Sequence, residues 1–149
     1  MRHLIIAISI VWFCNTALAA NDKVLGRWQT IDDETGEAKS IVELYRQGDQ
    51  VYGKVVDVLP RPGISADPVC KKCADHRKDQ KVRGMVIIES LKRDPTADSD
   101  QETWQDGKIL DPANGKIYKC KIWLENGTLK VRGYVGILFR TQTWRRVRG

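Results

Sequence analysis

Several stretches between Val24 and Val147 alternate apolar and polar residues with period two, and no stretch there carries a 3.6-residue apolar repeat. Side chains of a strand point alternately to opposite faces, so this rhythm specifies half-buried strands and leaves no place for an amphipathic helix. The stretches are rich in Val, Ile, Tyr, Trp and Thr, which suit a pleated surface. The pattern predicts strands over Val24–Ile31, Lys39–Arg46, Val51–Leu59, Arg83–Leu91, Glu102–Trp104, Lys108–Leu110, Ile117–Glu125, Thr128–Val135 and Phe139–Val147. Turn formers separate them: Asp32-Asp33-Glu34-Thr35-Gly36, Gln47-Gly48-Asp49, Asp111-Pro112-Ala113-Asn114-Gly115 and Asn126-Gly127. Pro at a turn start and Asn-Gly in a tight hairpin supply the backbone angles such turns require. Consecutive strands joined in this way are antiparallel. Closing them into a small up-and-down barrel removes the exposed edges that promote aggregation. The expected fold class is therefore all-β, a single antiparallel β-barrel.

Pleating assigns the faces. Tyr118, Cys120, Ile122 and Leu124 share one side of their strand, and Lys119, Lys121 and Trp123 the other. In the next strand Leu129, Val131 and Val135 oppose Lys130, Arg132 and Tyr134. The apolar sides face the interior. A barrel of about eight strands either holds one small ligand or is filled by its own side chains. In the first case the candidate contacts are Trp28, Val42, Leu44, Tyr118, Ile122 and Val131. In the second, Tyr118, Ile122, Leu124 and Leu129 pack the interior solid. The protein would then act through exposed Trp104, Trp123 or Tyr134 on a basic face.

The N-terminus bears on the compartment. Arg2 precedes an apolar run, Leu4 to Phe13, and Ala17-Leu18-Ala19 has the small-x-small form of a cleavage site. The expectation is a signal peptide over residues 1–19, export to the periplasm or beyond, and one domain over 20–149. Bulky Trp12 and Phe13 before Cys14 do not fit a lipid-attachment site. No later apolar stretch approaches the about 20 residues a membrane-crossing helix needs. The net charge of +6 gives a solvated basic surface or an attraction to anionic envelope components such as lipid headgroups and glycans. Nucleic acid is not an expected partner. The chain is read as exported, and its aromatic residues do not alternate with its basic ones as a stacking platform would require.

Residues Pro60–Gln80 lack periodicity and hold Pro60, Pro62, Gly63, Pro68, Cys70 and Cys73. A loop this long in a small domain is a functional or covering segment. Asp94–Gln101 is a shorter polar loop. Cys70-Lys71-Lys72-Cys73 admits three readings. The favoured one is a local structural disulfide, which an oxidising compartment permits. A thioredoxin-like redox motif requires a βαβ context that the pattern lacks. A zinc site would need four ligands, drawn from Cys70, Cys73, His76 and Cys120. Cys120 lies on an apolar side, as a small buried hydrophobe would, though pairing with a loop cysteine stays open. Asp32, Asp33, Glu34 and Asp106 are the acidic candidates for general acid–base work, and all sit in turn-like sequence. No catalytic set, cofactor or metal is expected from this pattern.

Gly26-Arg27-Trp28 resembles the opening of lipocalins and their calycin relatives. There the tryptophan closes one end of the barrel and an arginine from the last strand packs on its ring. Arg145 or Arg146, beside Trp144, is the expected counterpart, so Gly26, Trp28, Trp144 and Arg145 have structural roles. A longer series resembles one bacterial family. It comprises Thr30-Ile31-Asp32-Asp33, Thr35-Gly36, Lys39-Ser40-Ile41-Val42-Glu43, Tyr52-Gly53-Lys54-Val55 and Asp67-Pro68-Val69-Cys70 with Cys73. It continues with Gly107-Lys108-Ile109-Leu110-Asp111-Pro112, Asn114-Gly115-Lys116, Tyr118-Lys119-Cys120, Lys130-Val131-Arg132-Gly133-Tyr134 and Thr141-Gln142-Thr143-Trp144. On these residues the chain resembles the secreted family called domain of unknown function 2147. The resemblance implies a calycin-like fold and, by analogy of fold, binding of a small apolar or amphipathic molecule such as a fatty acyl lipid. It carries over no catalytic residues. The chain is shorter than ordinary lipocalins, which implies a small cavity, entered beside the Pro60–Gln80 loop.

Overall fold

The computed structural model describes residues 22–98 and 100–148; the expected leader lies outside them. Eight strands follow one another: β1 (Gly26–Ile31), β2 (Ala38–Gln47), β3 (Gln50–Val58), β4 (Val86–Arg93), β5 (Thr103–Asp111), β6 (Lys116–Glu125), β7 (Thr128–Val135) and β8 (Leu138–Arg146). Each pairs antiparallel with the next, and β8 returns to β1, so the sheet closes into a barrel in sequence order. The closing seam is short, with Trp28 opposite Arg146 and Gln29 opposite Arg145.

The nine sequence stretches become eight strands because Glu102–Trp104 and Lys108–Leu110 are parts of β5. A register shift between Trp104 and Gly107 interrupts the alternation there, with Asp106 at φ 60°. Such a bulge bends a strand without ending it. β4 begins at Val86, not Arg83. The residues before it fold into a turn, with Met85 N–H donating to Val82 O at 3.1 Å and Gly84 N–H to Val55 O at 2.7 Å. Elsewhere the local chemistry matches the turns. Asn126 and Gly127 take φ 50° and 73°, the double positive φ of a tight hairpin. The Asp32 carboxylate accepts the N–H groups of Glu34 and Thr35 at 2.9 and 3.0 Å.

Antiparallel order puts alternate connections at opposite ends. The β2–β3, β4–β5 and β6–β7 turns lie at one end with residues 22–25. The β1–β2, β3–β4, β5–β6 and β7–β8 connections lie at the other. The first end is sealed. Trp28 is fully buried, its Nε1–H donates to Val24 O at 2.8 Å, and the Arg146 guanidinium lies 3.9 Å from the ring centroid. Arg146, not Arg145, is thus the stacking partner. Arg145 is one residue out of phase with the inward positions of β8 and is exposed. A second seal surrounds Trp104, which is fully buried and not at the surface as one sequence reading supposed. Its Nε1–H donates to Glu102 at 2.9 Å, while Glu102 also accepts Lys23 N–H at 2.6 Å. Arg46 and Arg93 lie 5.5 and 5.8 Å from the Trp104 centroid and clamp the buried Asp22 carboxylate at 2.6 and 2.9 Å. Strands and N-terminal residues therefore share one packed block. Val42, Leu44, Ile122 and Leu129 are all 0–1% exposed within it.

Candidate functional site

The inward positions change character along the barrel. Going from the sealed end to the open one, β1 presents Trp28 then Thr30, β2 presents Leu44 and Val42 then Ser40, and β7 presents Leu129 and Val131 then Gly133. Large side chains give way to small ones. The closed half is consequently solid, and the open half holds a cavity of about 530 Å3. Trp144, 2% exposed, forms its floor. Ile87, Ile109, Leu110 and Val131 supply apolar wall, and Tyr118 and Leu138 stand toward the mouth. Thr30 and Ser40 add hydroxyls that hydrogen-bond each other at 2.8 Å, so this part of the wall is satisfied without a ligand. Asn114 donates to the Tyr118 hydroxyl at 3.1 Å.

The structure divides the candidate contacts. Tyr118 and Val131 line the cavity. Trp28, Val42, Leu44 and Ile122 are inward-facing as expected but lie in the solid half, where they pack against one another and meet no open space. Val135, assigned to the interior, stands at the rim and is 60% exposed. A strictly filled barrel describes only the sealed half.

Two cations border the mouth, and alternation alone does not select the first of them. The β1–β2 register passes from Thr30↔Ser40 to Ile31↔Ala38, leaving Lys39 as an extra residue. A bulge of this kind re-aims a side chain, and Lys39 borders the cavity. Arg140 faces inward from β8 and pairs with Asp33 at 2.7 Å, which also accepts Gln142 Nε2–H at 3.0 Å. The neighbouring Asp32 pairs with Arg61 at 3.8 Å. Its carboxyl is held below the usual range, chiefly by the N–H groups of Thr35 and Glu34 and further by the charge of Lys39. Lys39 itself forms no salt bridge among the described residues.

The structure places each of the acidic candidates. Asp32 and Asp33 are engaged by arginines, Glu34 is exposed in the turn, and Asp106 is exposed on the β5 bulge. Cys70 and Cys73 form a disulfide, with Cα atoms 5.5 Å apart, and both are buried. Their sulfurs are thus bonded to each other, which removes them from zinc ligation and from pairing with Cys120. The disulfide loop braces the rim. Lys72 O sits where a Cβ on Gly115 would have to go, and Gly115 itself takes φ 72°. Cys70 Sγ lies 3.6 Å from Pro112 O. The loop thereby fixes the β5–β6 turn, which supplies Pro112 and Asn114 to the cavity wall.

Cys120 is the free thiol of the described residues, and burial pushes its pKa up to about 12. An acid whose folded pKa is raised contributes stability below its unfolded value, and that contribution is lost as pH rises from near 9 toward 12. At neutral pH the thiol is expected to resist maleimide in the native protein and to react fully in denaturant, read by mass on the Cys120 peptide. Full native labelling would contradict this packing.

Residues 26–146 match the family described as uncharacterised protein conserved in bacteria, DUF2147. Protein HP1028 from Helicobacter pylori, whose structure is described as belonging to the lipocalin family, is similar in fold. Its TM-score is 0.68 at 18% identity, over 85% of this chain and 84% of that one. No curated protein matches the chain.

Proposed function

The chain belongs to the DUF2147 family and folds as a lipocalin-like barrel, and from this premise we propose that it binds a small amphipathic molecule, a single acyl chain carrying an anionic group. The observation that carries the reading is the cavity of about 530 Å3 above a solid floor. This volume falls within the about 300–1,000 Å3 of small-molecule sites, and its lining combines an apolar wall with polar and charged side chains, as an amphipathic ligand requires. The acyl chain lies against Ile87, Ile109, Leu110 and Val131. The head group meets Lys39, and Arg140 beside it. We place this activity in the periplasm, delivered there by the leader read in residues 1–19, because a disulfide-braced rim suits an oxidising compartment.

The test is direct. The chain from Ala20 onward is incubated with an envelope lipid extract, re-purified, and its bound material is identified by mass spectrometry. Near-stoichiometric single-chain anionic lipid is the expected result. Lys39→Ala should weaken binding of a fatty acid about tenfold, which is about 1.4 kcal/mol, while leaving the alcohol of equal chain length unaffected. Recovery of no lipid overturns the reading, and an equal loss for acid and alcohol overturns the role of Lys39.

A further inference from the structure

The β7–β8 hairpin ends in Val135-Gly136-Ile137-Leu138-Phe139. Val135, Ile137, Leu138 and Phe139 are 60%, 95%, 72% and 59% exposed. Turn tips ordinarily carry polar turn formers, as Asn126-Gly127 does at the sealed end. This tip instead offers its largest apolar groups to solvent at the rim of the open end. Ile117 on β6 adds to it. The β6–β7 ladder includes Lys119↔Tyr134, which puts Ile117 further toward the same end, 48% exposed.

A cationic face adjoins the tip. On the outer side of the barrel Lys108 stands opposite Lys119 and Lys121 opposite Arg132. Like charges directly across a ladder disfavour the sheet. None of these four residues forms a salt bridge among the described residues. Arg132 is held in place with its charge uncompensated. It lies 4.9 and 4.2 Å from the ring centroids of Trp123 and Phe139 and donates to Thr141 Oγ1 at 2.7 Å. Apolar residues at an edge with unpaired cations behind them have the amphipathic character of a surface that enters a lipid interface.

We propose that this hairpin docks the protein onto an anionic phospholipid bilayer. Ile137, Leu138 and Phe139 enter the boundary between headgroups and acyl chains, about 5–10 Å deep, and Lys119, Lys121 and Arg132 face the lipid phosphates. Charge complementarity selects this occupant over a second copy of the chain, because tip-to-tip association brings the same cations together. The proposal does not rest on the identity of the cavity's ligand. Docking would set the open mouth against the lipid surface, since Leu138 belongs to both tip and cavity.

The experiment uses the chain from Ala20 onward, which contains the whole closed barrel, and sediments it with vesicles of phosphatidylglycerol and phosphatidylethanolamine or of phosphatidylcholine alone. Binding is expected to be at least tenfold stronger to the anionic vesicles and to weaken with salt. Ile137→Asp, at a position with almost no contacts to lose, should lower it at least tenfold with the melting temperature unchanged. The Lys119→Glu and Lys121→Glu pair should lower it and flatten the salt dependence. Failure of the parent to bind anionic vesicles, or binding indifferent to Ile137→Asp, overturns the proposal. So does a tip-dependent dimer that does not bind vesicles.

Discussion

Trp28→Ala is expected to lower the unfolding free energy by about 3–5 kcal/mol, the range for removing a buried tryptophan and leaving a cavity. Domains of this size have only about 5–15 kcal/mol to lose. Three losses combine at this position: fully buried ring area, the hydrogen bond to Val24 O, and the platform beneath Arg146. The neighbouring arginines give an internal comparison. Arg146→Ala removes a guanidinium that stacks on Trp28 and donates to Leu25 O at 2.8 Å, so about 1–2 kcal/mol should be lost. Arg145→Ala changes an exposed side chain and should stay within about 0.5 kcal/mol. Urea unfolding of the three variants measures the order directly. Equal effects at 145 and 146 would contradict the seam described above.

Gly133→Leu should leave the barrel standing and empty its cavity of ligand. Gly133 faces inward, and an added Cβ there meets Tyr118 Cβ at 3.4 Å and Ile109 Cγ2 at 3.9 Å, which is ordinary contact. The remaining carbons of leucine have only the cavity to occupy. Displacing three or so methylene equivalents of ligand, at about 0.8 kcal/mol each, corresponds to about 2–3 kcal/mol, or roughly 30- to 150-fold in affinity. A fluorescent fatty-acid probe reads the loss, and thermal unfolding checks that the fold is kept. Undiminished probe binding would place the ligand elsewhere.

The two variants mark what the sequence made legible. Period-two alternation located every strand, although it split β5 and began β4 too early, because pleating leaves a clear pattern wherever one face is wet. It also put Trp28, Val42, Leu44 and Ile122 inside. It did not separate interior positions that meet other side chains from those that meet empty space. That difference depends on what stands across the barrel, on strands distant in sequence. The inward Thr30, Ser40 and Gly133 carried the signal for the hollow half, but only once the register between strands is known. Lys39 was hidden for a related reason, since a bulge shifts the phase that pattern-reading relies on. The break in β5 at Asp106 misled in the same way and made one strand look like two. Arg146 displaced Arg145 because the phase of β8 is fixed by its pairing with β7, where Trp144 faces Leu129, and not by proximity to Trp144 along the chain.

The sealed end has a consequence for traffic. Asp22, Glu102, Trp28 and Arg146 bolt the N-terminal residues across the bottom, so among the described residues the cavity opens only at the far end. On the proposed reading, a bound molecule leaves by the route it entered, and its residence time depends on the rim. Under that proposal, substitutions around Lys39, Asn114 and the β7–β8 tip are expected to retune loading and release while the foundation that keeps the barrel folded is untouched.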